Sequence, residues 1–283
     1  MPSLTWLPSL PSAVSAGSFP PGTMLSINGS VAMVERFLAE GGFAHVYLVS
    51  VSNEPMCVKR IACMDESTLA EFQKEVDFMK KLNGHRNIVQ FAGACSHPLK
   101  HGGYEMLILM EYCPGGRLVD YLNARLPRRL NEMEVLTIFS DICEGVAYMH
   151  MQSPVIVHRD LKVENVLVSK SGTYKLCDFG SATTQLVPPG AQLKAQEIQK
   201  LEDEISKFTT LQYRSPEMCD LYQKRGLTEK LDIWALGVLL YKLCYYTTPF
   251  EDSGKMAIIN VRYSFPTTPV YSPAIQKLIG KGL

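Results

Sequence analysis

The chain has no excess of either charge: 28 Lys and Arg stand against 28 Asp and Glu in 283 residues. It also lacks a long basic run. That argues against general nucleic-acid binding, which relies on neutralising phosphates with cationic side chains. Long apolar runs are missing too. The best candidate for a membrane span, residues 235–240, stops at Lys242 and is far too short, which predicts a soluble chain with no transmembrane segment. None of the eight cysteines forms a C-x-x-C pair of the zinc or redox type. A chain this long needs no disulfide staples, so reduced thiols are expected, several of them inside apolar runs such as Ile142-Cys143 and Leu243-Cys244. Residues 13–17 have the small side chains of a leader cleavage site, but nothing upstream is basic and Pro8 and Pro11 interrupt the apolar stretch; secretion is not expected. Finally, the first 33 residues contain no charged side chain, five prolines and seven serines. Such a composition buries little apolar surface and predicts a flexible tail over residues 1–30.

What is present is an ordinary globular composition, 46% hydrophobic and 20% charged, long enough for one large domain or two lobes. Segments 34–38, 46–51 and 56–61 read as strands separated by a glycine turn and by Ser52-Asn53-Glu54-Pro55. Over residues 66–82, Leu69, Phe72, Val76, Met79 and Leu82 fall on one face of a helix. Two short strands follow near 88–93 and 105–110. After Pro114-Gly115-Gly116 the pattern turns helical: Val135, Ile138, Phe139, Ile142, Val146 and Met149 step by three and four. Short strands occupy 155–177, and a long apolar helix covers about 230–244. A strand-rich segment joined by a Pro-Gly-Gly linker to a helix-rich one predicts an α+β protein in two lobes. A cleft between lobes is a common place for a ligand.

The strongest motif is His158-Arg159-Asp160-Leu161-Lys162-Val163-Glu164-Asn165, which fits H-R-D-L-x-x-x-N at every fixed position. Asp178-Phe179-Gly180 follows thirteen residues after Asn165, and Ser215-Pro216-Glu217 lies further on. A lone D-F-G carries no weight; the ordered set does. In this order and spacing the sequence resembles the eukaryotic protein kinases over about residues 34–283. The resemblance implies a two-lobed kinase fold, with an N-lobe at about 31–110, a linker at 111–116 and a C-lobe at 117–283. It also implies ATP and Mg²⁺ as cofactors.

Phosphoryl transfer needs the γ-phosphate held in line with a hydroxyl and its charge neutralised. By the resemblance, Asp160 accepts the substrate hydroxyl's proton, Lys162 neutralises the γ-phosphate, and Asn165 and Asp178 supply hard oxygen ligands to Mg²⁺. Ala39-Glu40-Gly41-Gly42-Phe43-Ala44-His45-Val46 stands where the glycine-rich loop belongs, although of G-x-G-x-x-G-x-V it keeps only Gly41 and Val46. Gly41 and Gly42 still permit close approach of backbone N–H groups to phosphate; a plain hairpin turn is the rival reading. Lys59 takes the place of the lysine that holds the α- and β-phosphates. Glu75 is its expected counter-charge on the following helix, with Glu71 one turn earlier as the rival. Met110 falls at the gatekeeper position, and backbone groups of Glu111 and Cys113 are placed to bond adenine. Thr210, five residues before Ser215, is the threonine that serine/threonine kinases set against the catalytic Asp and Lys. Asp232 resembles the helical aspartate that braces the catalytic-loop backbone.

Several strings are more particular: Glu40-Gly41-Gly42-Phe43-Ala44, Cys177 to Thr184, Thr209-Thr210-Leu211-Gln212-Tyr213-Arg214, and Asp232 to Tyr245. They resemble the Numb-associated kinase family, whose members have the same unusual glycine loop. This implies a serine/threonine kinase of clathrin-mediated endocytosis or of cortical actin. Its substrates would be clathrin adaptor or actin-regulating proteins, and its location cytoplasmic, peripheral at endocytic sites. The family also carries an extra helix after the activation segment, expected at residues 219–226. About two further C-lobe helices have no counterpart before Leu283, so the domain reads as truncated there, with apolar surface exposed around Trp234 to Leu243. Within the activation segment, Ile198, Leu201, Ile205 and Phe208 predict a short amphipathic helix. It is expected to pack on the C-lobe and order the segment without obligatory phosphorylation, leaving Arg159 to find another anion. The alternative to an active enzyme is a catalytically silent scaffold of the same fold. Such relatives usually lose the lysine, the catalytic Asp or the metal ligand, whereas this chain keeps Lys59, Asp160, Asn165 and Asp178.

Overall fold

The computed structural model describes residues 18–41, 44–251 and 254–283. Most of the expected tail, residues 1–17, lies outside this range, as does Gly42. The chain divides into two compact units, one running through Leu69 and adding Ala92–Met110, the other comprising Ala70–Phe91 and Glu111–Leu283.

The first unit is built on a sheet of β1 (Met24–Ile27), β2 (Ser30–Glu40), β3 (Ala44–Val51), β4 (Glu54–Cys63), β5 (Phe91–Pro98) and β6 (Tyr104–Glu111). The strand order is β1-β2-β3-β4-β6-β5. Alternate residues Val34, Tyr47, Val49 and Val58 turn to one face and meet Leu25, Ile27, Leu107 and Leu109, all buried. The expected tail boundary at residue 30 needs correction. Met24–Ile27 pairs antiparallel with β2, Leu25 opposite Ala32. Phe19 packs on the same core and lies under the Arg60 guanidinium, 4.1 Å from its ring centroid. An uncharged segment can still join a sheet when its alternate residues are apolar, as Leu25 and Ile27 are.

Helix α1 (Glu66–Leu82) begins in the first unit and continues in the second. Residues 70–91 therefore group with the C-terminal part, although a continuous N-lobe over 31–110 was expected. The cause is local: the Val89 N–H donates to the Leu176 carbonyl at 3.0 Å, the Lys81 amine to the Ser153 carbonyl, and His85 stacks on Tyr148.

The rest of the second unit comprises α2 (Leu118–Ala124), α3 (Glu132–His150), a hairpin of β7 (Val166–Val168) and β8 (Tyr174–Leu176), then α4 (Ala195–Phe208), α5 (Pro216–Cys219), α6 (Lys230–Tyr245), α7 (Gly254–Ile259) and α8 (Pro273–Gly282). A capping box starts α3: Glu134 N–H donates to the Asn131 side chain and Asn131 N–H to the Glu134 carboxylate. Its Val135, Ile138, Ile142, Val146 and Met149 are buried, each contributing roughly 1.5–3 kcal/mol.

Two expectations fail here. Residues 219–226 do not form a helix: the extended Asp220 ends α5 and caps a single 3₁₀ turn, Leu221–Gln223, which stops at left-handed Lys224. The long helix of this region is α4, upstream of Ser215. Nor is α6 left uncovered, since Trp234, Leu239, Leu240 and Leu243 are all buried. Helix α8 crosses α6 so closely that a Cβ on Gly237 would lie 2.9 Å from the Gly282 backbone. Only glycine permits that approach. Among the described residues no helix is long and apolar enough to cross a membrane.

Candidate active site

In the first unit the register sets three expected site residues in a row across neighbouring strands: Ala39 opposite Val46, and Val46 opposite Lys59. Gly41 closes the β2–β3 turn, its N–H donating to the Ala44 carbonyl at 2.7 Å. Met110, near the end of β6, is half-buried.

In the second unit the H-R-D motif forms an irregular loop that cannot hold its shape by helical or sheet bonding, so side chains hold it. Asp232, in the first turn of α6 and fully buried, accepts the His158 N–H at 2.8 Å, the Arg159 N–H at 2.9 Å and His150 Nε2 at 2.8 Å. These bonds brace Arg159 in the left-handed region, φ 67, a strained conformation for a long side chain. The brace expected of Asp232 is present.

Three donors then converge on the carboxylate of the next residue. Thr210 Oγ1 donates to Asp160 Oδ1 at 2.8 Å, Asn165 Nδ2 to Oδ2 at 3.1 Å, and Lys162 Nζ pairs with Oδ2 at 2.7 Å. Lys162 also donates to Thr210 Oγ1 at 2.9 Å, closing a ring of Asp, Lys and Thr. Because Asn165 spends its amide nitrogen on Asp160, its carbonyl oxygen is the end turned to other partners. The Cys177 N–H donates to the Asn165 main-chain carbonyl at 3.0 Å, which sets Asp178 beside it; Asp178 is itself left-handed, φ 61. A Cβ on Gly180 would lie 3.5 Å from both Asp178 Oδ1 and Glu75 Oε2, so two carboxylates flank that glycine. Glu75 is buried on α1. The rival Glu71 is engaged at the surface by Lys207 Nζ at 2.7 and 2.8 Å.

At the end of β6 the Glu111 N–H donates to the Gln90 carbonyl at 2.9 Å, and Glu111 pairs with Lys175. Cys113 is buried, and its carbonyl accepts from Gly116 N. The linker is then clamped on β7: the Gly115 N–H bonds the Val168 carbonyl, and any Cβ at Gly115 would meet Val168 at 2.7 Å.

The expected amphipathic helix of the activation segment is α4. Ile205 joins Val157, Met218, Leu221, Leu227 and Leu231 in a buried cluster, with Ile198 and Leu201 against its edge. Sequence reasoning missed the partner this brings to Arg159. Its Nη1 contacts Glu204 Oε1 at 2.5 Å while its Nε donates to the Ser181 carbonyl at 2.6 Å. A signal existed: Glu204 follows Leu201 by three and precedes Phe208 by four, so an acid sits on the apolar stripe. Further on, Arg214 Nε donates to Thr209 Oγ1, and burial lowers the Arg214 guanidinium's pKa from its ordinary value, opposed by Cys219 and Asp160.

An ordered loop with an Asp, Lys, Asn and Thr cluster, followed by Asp-Phe-Gly, defines a kinase-type site. Comparison with known proteins agrees: residues 33–282 match the protein kinase domain. Serine/threonine-protein kinase ppk30 of Schizosaccharomyces pombe is 45% identical, covering 96% of this chain and 29% of the relative. Actin-regulating kinase 1 of Saccharomyces cerevisiae is 43% identical, covering 93% of this chain and 42% of the relative. Actin-regulating kinase PRK1 of the same yeast is 42% identical, over 92% and 33%. The chain belongs to the protein kinase domain family, and these relatives bear out the resemblance to the Numb-associated group. It spans less than half the length of each of the three, from 29% to 42%.

Proposed function

We propose that this chain transfers the γ-phosphate of ATP to serine or threonine hydroxyls of other proteins. The convergence of Lys162, Asn165 and Thr210 on the Asp160 carboxylate carries the reading. A carboxylate fixed by three donors loses little orientational freedom on meeting a hydroxyl, and positioning supplies much of the catalysis in phosphoryl transfer. Asp160 takes the hydroxyl proton; Lys162, held beside it, faces the phosphate charge; Thr210 keeps the two in register.

The donor set fits Mg-ATP. Asn165 turns its carbonyl oxygen away from Asp160, and Asp178 adds a carboxylate. Among the described residues no group of three His, Cys, Asp or Glu side chains forms a metal site. Mg²⁺ ordinarily takes one or two carboxylates and completes its shell with phosphate oxygens and water. Asn165 and Asp178 are therefore the proposed ligands, and the metal would supply charge neutralisation. Ala39, Gly41, Val46, Lys59, Met110 and the Glu111 and Cys113 backbone are the proposed nucleotide contacts, Lys59 for the α- and β-phosphates and Glu75 as the family's helix glutamate.

Two relatives are named actin-regulating kinases. That supports actin-regulating proteins as substrates; clathrin adaptor proteins as substrates and a place at endocytic sites rest on the resemblance to the Numb-associated family. The test is transfer of labelled phosphate from Mg-ATP to a threonine-containing adaptor peptide, with Asp178→Asn as control. Equal labelling by the two chains would refute the proposal.

A further inference from the structure

Under α4 lies a cavity of about 230 Å³. Its wall is mostly apolar, with Val157, Ile205, Met218, Leu227 and Leu231 all buried. Polar atoms enter in two pairs: Arg159 with Glu204, and Thr183, whose hydroxyl oxygen accepts the Gln185 N–H at 3.0 Å. Gln185 and Leu186 are exposed, which gives the cavity a rim in contact with solvent. Paired bonds between Val187 and Leu227, at 2.9 and 2.8 Å, stitch one side of it.

These features select a ligand. An apolar cavity of about 150 Å³ admits benzene and stays dry, so this one has room for a bicyclic aromatic. A charged guest is disfavoured, because Arg159 and Glu204 already neutralise each other and an added charge would sit unpaired against apolar walls. One hydrogen-bonding group on the guest finds Thr183 or Gln185. We propose that the cavity is a binding site for a small neutral aromatic molecule carrying one hydrogen-bonding group, and that its occupancy holds α4 in place and raises phosphoryl transfer.

The sign follows from which groups line the cavity. Leu201, Glu204 and Ile205 come from α4, and Glu204 engages Arg159, the residue before Asp160. A guest enclosed by α4 loses part of its wall if the helix lifts, so it favours the arrangement in which Arg159 is held. Only this coupling rests on the proposed function; binding does not.

The test uses the whole chain with indole and 2-naphthol as probes. Ligand-observed NMR and melting curves read binding without ATP, and initial rates of peptide phosphorylation read the coupling. The expected result is saturable binding, a melting temperature that climbs with the logarithm of probe concentration, and a severalfold higher rate. Leu231→Phe, which fills the cavity from α6, should abolish these responses. Val187→Phe fills it from the half-buried opposite wall and serves if the first variant does not fold. Absence of saturable binding, or binding unchanged in the filled variants, overturns the site. Binding with no change in the rate of an active chain overturns the coupling. A chain that binds the probes but phosphorylates nothing refutes the proposed function and leaves the site standing.

Discussion

Replacing Glu204 by Gln keeps the size of the side chain and removes its charge. The Arg159 guanidinium, whose side chain is 12% exposed, would then keep one charged neighbour fewer in a largely desolvated place. Fully buried pairs cost about 3–5 kcal/mol when one partner is removed, and exposed pairs about 0–1. Glu204 is 28% exposed, so the cost here should fall between, at about 1–3 kcal/mol. Much of it should appear as freedom of α4 and of the loop before Asp160 rather than as global unfolding, because Asp232 still holds the His158 and Arg159 backbone. The assay pairs urea unfolding with steady-state phosphorylation of the threonine peptide. We expect kcat to fall about tenfold for a displacement worth ~1.4 kcal/mol, with the KM for ATP little changed. Glu204→Asp should restore part of the loss, and Arg159→Ala combined with Glu204→Gln should cost less than the two single changes added. If Glu204→Gln matched the parent in kcat and in its urea midpoint, the pair would carry no weight and the reasoning would be wrong.

Three further outcomes follow from the same geometry. Thr210→Val removes the hydroxyl that joins Lys162 to Asp160 and should lower kcat by about ten- to a hundredfold, Thr210→Ser restoring most of it; equal rates for Val and Ser would contradict the ring. Asp232→Ala strips two backbone N–H groups of a buried acceptor, at about 1–3 kcal/mol each, and should lower the denaturation midpoint sharply, whereas a midpoint within error of the parent would refute the brace. The Asn131 N–H, and secondarily Arg125, hold the Glu134 carboxyl below its ordinary value of 4.5. A depressed acid contributes stability above its unfolded pKa and loses it as pH falls through the folded one. Melting from pH 6 to 3 should therefore drop less for Glu134→Gln than for the parent chain.

The fold was legible where side-chain periodicity is strong. The buried stripe of α3 and the Leu201–Ile205 face of α4 both follow spacings of three and four, and both pack as those spacings require. The catalytic-loop cluster was legible because each residue type has a narrow chemical use, and Asp160, Lys162, Asn165 and Thr210 do meet. What escaped depended on partners far apart in sequence. Strand β1 hides in an uncharged, serine-rich stretch, and its reason for existing, the pairing of Leu25 with Ala32, requires β2. Residues 70–91 join the second unit through bonds to Ser153 and Leu176 that no local pattern announces. The placement of an extra helix at residues 219–226 came from analogy and failed on local chemistry, since Asp220 caps a new turn instead of continuing α5. Glu204 is one of four acids on α4, and only the fold sets Arg159, 45 residues away in sequence, opposite it.

The most direct test of the account is transfer of labelled γ-phosphate by the parent chain and by Asp160→Asn, measured on the threonine peptide with Mg-ATP saturating. Asn at this position keeps one acceptor oxygen, which Thr210 can still reach, but its amide nitrogen cannot accept from Lys162 or Asn165 and the side chain cannot take the hydroxyl proton. The account predicts a folded variant with unchanged nucleotide binding and transfer reduced by about a hundredfold or more. Transfer by Asp160→Asn within a few fold of the parent, with binding intact, would contradict it.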